Sequence, residues 1–170
     1  MIIGVNRFSE AVAVIERMKS EGVVTEYAIG GAMALVFWSE PIPTFDLDVF
    51  VLIPSPSLLV SLTPIYDWAR HNGFREEAEH ILIAGIPVQL IPAPNALAEE
   101  AVREAALLDY AGSPVRVIRA EYLIALYLEP SARTAKRLVR VAALMEEGNV
   151  DRALLNDLVA RYKLTLPTYE

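Results

Sequence analysis

Two aspartates, Asp46 and Asp48, open the segment DLDVFVLI, the stretch of the chain richest in strand-forming residues. Side chains two residues apart on a strand point to the same face. Both carboxylates therefore share a face that continues as Phe50 and Leu52, while Leu47, Val49, Val51 and Ile53 fill the other. Two like charges this close repel, and taking each out of water costs several kcal/mol unless a counter-charge is present. A divalent cation removes both penalties. An oxygen-only donor set with open positions suits Mg²⁺ (or Mn²⁺), which keeps part of its water shell and binds substrate phosphates. Taken alone, the pair also fits a solvated strand start beside the proline loop at Pro41 and Pro43.

A second feature lies just upstream. Gly30 and Gly31 follow the short apolar stretch YAI and precede AMALVFW. Residues without a Cβ let a backbone approach a phosphate closely, and a helix N-terminus offers free N–H groups. A tight strand-to-helix turn would use the same glycines. The third feature is basic: Arg133, Lys136 or Arg137, and Arg140 recur at helical spacing. Such a face either neutralises a triphosphate or an RNA end or is merely solvated. Arg116 and Arg119 are candidates for the same patch. His71 and His80, nine residues apart, show no metal-ligand pairing and read as surface residues. No Ser/His/Asp set, P-loop or dinucleotide fingerprint is present.

These groups need elements to hold them. The pattern predicts a first helix capped by Asn6 or Ser9 and ended by Gly22, a strand over Glu26 to Ile29, and a short buried helix over Ala32 to Trp38. The aspartate strand follows over Asp46 to Ile53, bounded by Pro54 and Pro56, and then a helix over Ser57 to Asn72 kinked or split at Pro64. Strands over Glu79 to Ala84 and Pro87 to Ile91 form a hairpin at Gly85. A helix over Ala96 to Tyr110 and a last strand over Val115 to Arg119 complete the mixed part. Helices over Ala120 to Leu128, Ser131 to Glu146 and Val150 to Tyr162 end the chain. This order predicts an α+β fold with a mixed β-sheet and a helical C-terminal part, divided as a core over 1–118 and a helical portion over 119–170 packed on it as one compact unit.

Composition narrows the options. The 170 residues contain no cysteine, which excludes disulfides, thiolate metal sites and cysteine nucleophiles. A net charge of −7 argues against a surface that coats nucleic acid. The segment from Arg116 to Arg140 nevertheless carries +4, leaving −11 on the rest, as a protein with one local anion site would. No basic n-region or bilayer-length apolar run is visible, so the expected compartment is the cytoplasm, with no membrane partner. The 54% hydrophobic content exceeds the usual range and favours a full core or a homodimer.

Together, the stretch YAIGGAMALVFWSEPIPTFDLDVFVLI resembles the signature of nucleotidyltransferases of the DNA polymerase β superfamily, and among them the minimal and AbiEii-type toxin enzymes. There a hydrophobic residue, Gly-Gly or Gly-Ser and a helix precede an Asp-hydrophobic-Asp strand; the 14 residues between Gly31 and Asp46 make this gap long. ILIAG, IPVQLIPA and VRVIRAEYLIALYL fall where the family places later elements. The resemblance implies a nucleotidyltransferase-like fold in which Asp46 and Asp48 hold Mg²⁺ against a nucleoside triphosphate, Gly30 and Gly31 meet its phosphates, and Thr44 assists through its hydroxyl. It implies transfer of a nucleoside monophosphate to an RNA or protein hydroxyl, with an antitoxin partner in toxin-like systems. Family enzymes usually carry a third carboxylate on a neighbouring strand. Alignment of IPVQLI with that strand puts Gln89 there, and a neutral amide cannot act as a base near neutral pH. Glu79 on the hairpin could substitute only with its side chain turned inward. A catalytically degenerate nucleotide-binding or protein-interaction module is the alternative, and a plain oligomerising scaffold the third.

Overall fold

The computed structural model describes residues 3–54 and 60–168. The helix expected from Ser57 and the proline expected at position 56 thus begin or lie outside the described residues. The elements run α1 (Val5–Ser20), β1 (Glu26–Ile29), α2 (Gly31–Leu35), β2 (Leu47–Leu52), α3 (Thr63–His71), β3 (Arg75–Glu77), β4 (His80–Ile83), β5 (Ile86–Pro92), α4 (Ala96–Arg103), β6 (Ala106–Tyr110), β7 (Ser113–Val117), α5 (Ala120–Leu128), α6 (Ala135–Glu147) and α7 (Arg152–Arg161). The strands form one mixed sheet in the order β3-β4-β5-β2-β1-β7-β6. β2 lies at its centre, antiparallel to β1 and parallel to β5. This is the α+β architecture expected, with helices closing the chain.

The alternation in LDVFVL sets the central strand. Leu47, Val49 and Val51 are buried, whereas Asp48, Phe50 and Leu52 stay partly accessible on the opposite face. α1 packs on β1, β4 and β5 through Phe8, Val12 and Ile15; α4 packs on β1 and β2. α5, with sequence AEYLIALYL, is buried along all nine residues and lies against α4, α6 and α7. Each Leu or Ile so enclosed contributes about 1.5–3 kcal/mol. No helix among the described residues is long and apolar enough to cross a membrane.

Several boundaries differ from expectation, each for a local reason. The helix expected over Ala96 to Tyr110 stops at Arg103, and residues 106–110 instead form edge strand β6 against β7. The hairpin that joins them turns on Ala111 and Gly112, both with positive φ, and Asp109 Oδ1 accepts the Gly112 N–H. Sheet pairing overrides the helical preference of Ala, Leu and Asp here. β3 is too short and too charged to announce itself. Pro64 sits in the first turn of α3, where no intrahelical bond requires an N–H, so the helix starts at the proline instead of running through it. α1 has Gly4 in its capping position and no side-chain cap from Asn6 or Ser9. α2 ends at Leu35, and the Trp38 indole beyond it donates to the Ile118 carbonyl at 2.8 Å.

One carboxylate ties the closing helices together. Glu100 on α4 accepts from Tyr122 Oη of α5 at 2.8 Å, from both guanidinium nitrogens of Arg161 at 2.7 and 2.9 Å, and from Tyr162 Oη at 2.5 Å. The Arg161 hydrogen bonds, with help from the two phenols, hold the Glu100 carboxyl down at about 2. A group depressed in this way stabilises the fold above its unfolded value of 4.5 and loses that contribution as pH falls toward 2. Glu100→Gln is therefore expected to destabilise the protein at pH 7 by about 1–3 kcal/mol. In urea titrations the gap between wild type and variant should close as pH is lowered from about 4.5 to about 2.

Candidate active site

Asp48 is placed by β2 and received by the β1–α2 turn. The Gly30 N–H donates to the Asp48 carbonyl at 2.9 Å, which fastens the turn to the strand. Gly31 has φ +57°, and a Cβ there would stand 2.0 Å from Asp48 Oδ2. The carboxylate thus rests in the space that the missing side chain leaves. No described residue donates a hydrogen bond to it. Burial, and then the neighbouring charge of Asp46, push the Asp48 carboxyl above its usual range, while His80, Arg140 and Arg137 pull the other way.

Asp46 stands just before β2 rather than on it. The buried Thr44 hydroxyl lies 3.1 Å from Asp46 Oδ1 and 3.0 Å from its carbonyl, fixing the loop that carries the carboxylate. His80 Nε2 is 4.0 Å from Asp46 Oδ2. Register explains this proximity: His80 on β4 pairs with Gln89 on β5, which pairs with Asp48 on β2. The three residues form one row across the sheet, with Gln89 between the histidine and the carboxylate. Glu79 is exposed outside β4, so His80 takes the inner position on that strand. Sequence spacing gave no sign of this, because a histidine's neighbours across a sheet depend on register. The alternation of the ILI-AG-IPV hairpin was the available signal.

Opposite Asp48 the closing helices complete a cavity of about 310 Å³, lined among others by Gly31, Asp48, Phe50, Tyr127, Arg137 and Arg140. The Arg137 and Arg140 guanidinium carbons lie 5.8 and 5.9 Å from the Tyr127 ring centre, in cation–π range. Burial raises the Tyr127 phenol above its usual range, so the ring stays neutral beside them. The expected basic residues divide between this cavity and other tasks. Arg133 precedes α6, which Thr134 caps, and its guanidinium reaches the Thr165 carbonyl at 3.4 Å. Lys136 is exposed and is not among the cavity's lining residues. Arg116 is structural: it donates to the carbonyls of Tyr27 and Val102 and pairs with Glu26. Arg119 pairs with Glu121.

Asp46 and Asp48 fit a Mg²⁺ ion by their chemistry: two neighbouring carboxylates, one of them raised by burial and repulsion and without a donor among the described residues. Among the described residues no group of three or more His, Asp or Glu forms a full cage. Two carboxylates with substrate oxygens and water filling the remaining positions is the mode this ion favours.

No protein-family profile matches the sequence, and no curated protein matches it by sequence. Solved structures do match in shape. An antigenic nucleotidyltransferase-like protein from Paracoccidioides brasiliensis superposes with a TM-score of 0.54 at 10% identity, over 92% of this chain and 87% of that one. The antibiotic-resistance factor ANT(2'')-Ia superposes with a TM-score of 0.52 at 18% identity, over 94% of this chain and 93% of that one. The chain thus has a nucleotidyltransferase fold.

Gly31→Ala adds a Cβ to a left-handed residue in contact with the Asp48 carboxylate. It is expected to cost more than about 1 kcal/mol in a denaturant titration. Gly22, also left-handed but with open space around it, is the control position: Gly22→Ala should cost less.

Proposed function

We propose that the protein is a Mg²⁺-dependent nucleotidyltransferase that moves a nucleoside monophosphate from a nucleoside triphosphate to a hydroxyl acceptor. The supporting observation is the opposition within one cavity of Asp48, beside Asp46, to the guanidinium pair Arg137 and Arg140. Carboxylates alone would repel a triphosphate, and guanidiniums alone would hold it without orienting its reacting phosphorus. Bound by Asp46 and Asp48, a divalent ion would supply charge neutralisation at the α-phosphate.

The remaining roles belong to the chain. Arg137 and Arg140 hold the phosphate tail, and their stacking on Tyr127 limits their freedom before ligand arrives. Gly30 and Gly31 make room for the Phe50 ring and the Asp48 carboxylate, and Gly31 lines the cavity beside that carboxylate. Phe50, Ile91, Leu123 and Leu126 give the base or sugar an apolar wall. Thr44 fixes Asp46. Arg133 and Lys136, outside the cavity lining, are assigned no more than a contribution to the field at its mouth.

A second reading, binding without transfer, draws support from Gln89, which stands directly beside Asp48 where a third carboxylate is expected. Gln89→Glu would supply one, and gain of transfer activity in that variant alone would favour this reading.

Calorimetric titration with Mg²⁺ and each nucleoside triphosphate tests the site. Arg137→Ala and Arg140→Ala should each weaken binding by roughly tenfold or more, the loss of a charge-assisted contact. Asp46→Asn/Asp48→Asn should abolish Mg²⁺-dependent binding while raising thermal stability without metal, because the variant removes the like-charge pair. Unchanged affinity in all three variants would overturn the assignment.

A further inference from the structure

The cavity that holds Asp48 has a second carboxylate at its other end. Asp48 pairs with Gln89 across the sheet, and Phe50 pairs with Ile91 two residues further on, about 7 Å along the strands at the usual rise. Pro94 continues this wall past the end of β5, and Glu129 closes it from the end of α5. The lining thus runs from the charged Asp48 end, past the apolar side chains of Phe50 and Ile91, to the Glu129 carboxylate.

Glu129 is held in place from α4. Asn95 caps that helix: its Oδ1 accepts the Ala98 N–H at 3.0 Å, which leaves its amide nitrogen for Glu129. Asn95 Nδ2 donates to Glu129 Oε1 at 2.6 Å. No described residue donates to Oε2, and Glu129 belongs to no ion pair among the described residues. Its position is therefore fixed while its capacity to accept hydrogen bonds is largely unused.

A triphosphate is repelled by this group, whose charge has the same sign. Arg137 and Arg140 draw the phosphate tail to α6, so a neutral part of the nucleotide meets Glu129. The ribose adjoins the α-phosphate and reaches the level of Phe50 and Ile91; the base extends beyond it. A carboxylate only accepts hydrogen bonds, and the bases differ in what they offer it. Along its pairing edge guanine presents two adjacent donors, N1–H and the 2-amino group. Adenine and cytosine present one amino group beside a ring-nitrogen acceptor, and uracil one N–H between two carbonyl oxygens. Only guanine gives a carboxylate two parallel hydrogen bonds.

We propose, on the basis of the nucleotidyltransferase reading above, that Glu129, positioned by Asn95, selects the base, and that the nucleotide taken is a guanine nucleoside triphosphate. The two carboxylate oxygens accept from N1–H and the 2-amino group; Oε1 has a lone pair beyond the one that Asn95 uses.

The test is calorimetric titration of the full chain, with Mg²⁺, against GTP, ATP, CTP, UTP, inosine triphosphate and dGTP. GTP is expected to bind roughly tenfold or more tightly than ATP, CTP or UTP, with inosine triphosphate, which lacks the 2-amino group, in between. In Glu129→Gln, a change that keeps the side chain's size, GTP affinity should fall to the level of inosine triphosphate or below. ATP affinity should stay the same in that variant, which reports an intact fold and phosphate site. dGTP should follow GTP. Equal affinity for the four bases in the wild type, a guanine preference that survives Glu129→Gln, or an equal loss of all four in the variant would overturn the proposal and leave the nucleotide site standing. So would a dGTP affinity well below that of GTP whose gap closes in Glu129→Gln, since Glu129 would then read the ribose. If no nucleotide binds, the nucleotidyltransferase reading falls and the proposal with it.

Discussion

The contact on which the site depends is between a carboxylate and an absent side chain. Asp48 lies against the Cα of Gly31, in a left-handed turn that no residue with a Cβ could adopt without colliding with it. The same turn is anchored by the Gly30 N–H on the Asp48 carbonyl, so strand, turn and carboxylate have one relative position. Because β2 is the central strand, that position is transmitted from the whole apolar core rather than from a loop. The electrostatic cost of two neighbouring carboxylates is thereby carried by packing elsewhere, an arrangement expected where charge is to be neutralised by a ligand.

The opposing charges come from a different part of the chain. Arg137 and Arg140 ride on α6, whose position relative to the sheet is set through the wholly buried α5. Tyr127 of α5 touches both sides: its hydroxyl is 3.5 Å from the Gly31 carbonyl and its ring underlies the two guanidiniums. The cavity therefore joins a sheet half and a helix half through one aromatic residue. Arg116 and Arg119 of the basic segment are paired with Glu26 and Glu121, so part of the segment's positive charge is neutralised away from the cavity.

Much of this was legible in the residues. Alternation in LDVFVLI gave the strand and its faces, and the glycine pair before an apolar helix gave the turn. The order of strands and helices gave the fold class. What was not legible depended on pairing. His80 could be placed beside Asp46 only from the β4–β5–β2 register. β6 resembled a helix because Ala, Leu and Asp have no strong strand preference, and only its partner β7 decides the matter. The cavity cations were blurred among Arg133, Lys136 and Arg137, because the true start of α6 at Ala135 leaves Arg133 off the helix and turns Lys136 outward.

The division of the cavity also has a temporal side. Asp48 lies in the first third of the chain and Arg140 in the last fifth, with α4 to α5 between them. The two halves of the cavity are therefore synthesised far apart and meet only when the closing helices pack through α5. On the proposed assignment, a chain that stops before Ala135 carries Asp46 and Asp48 but lacks both guanidiniums that hold the phosphate tail.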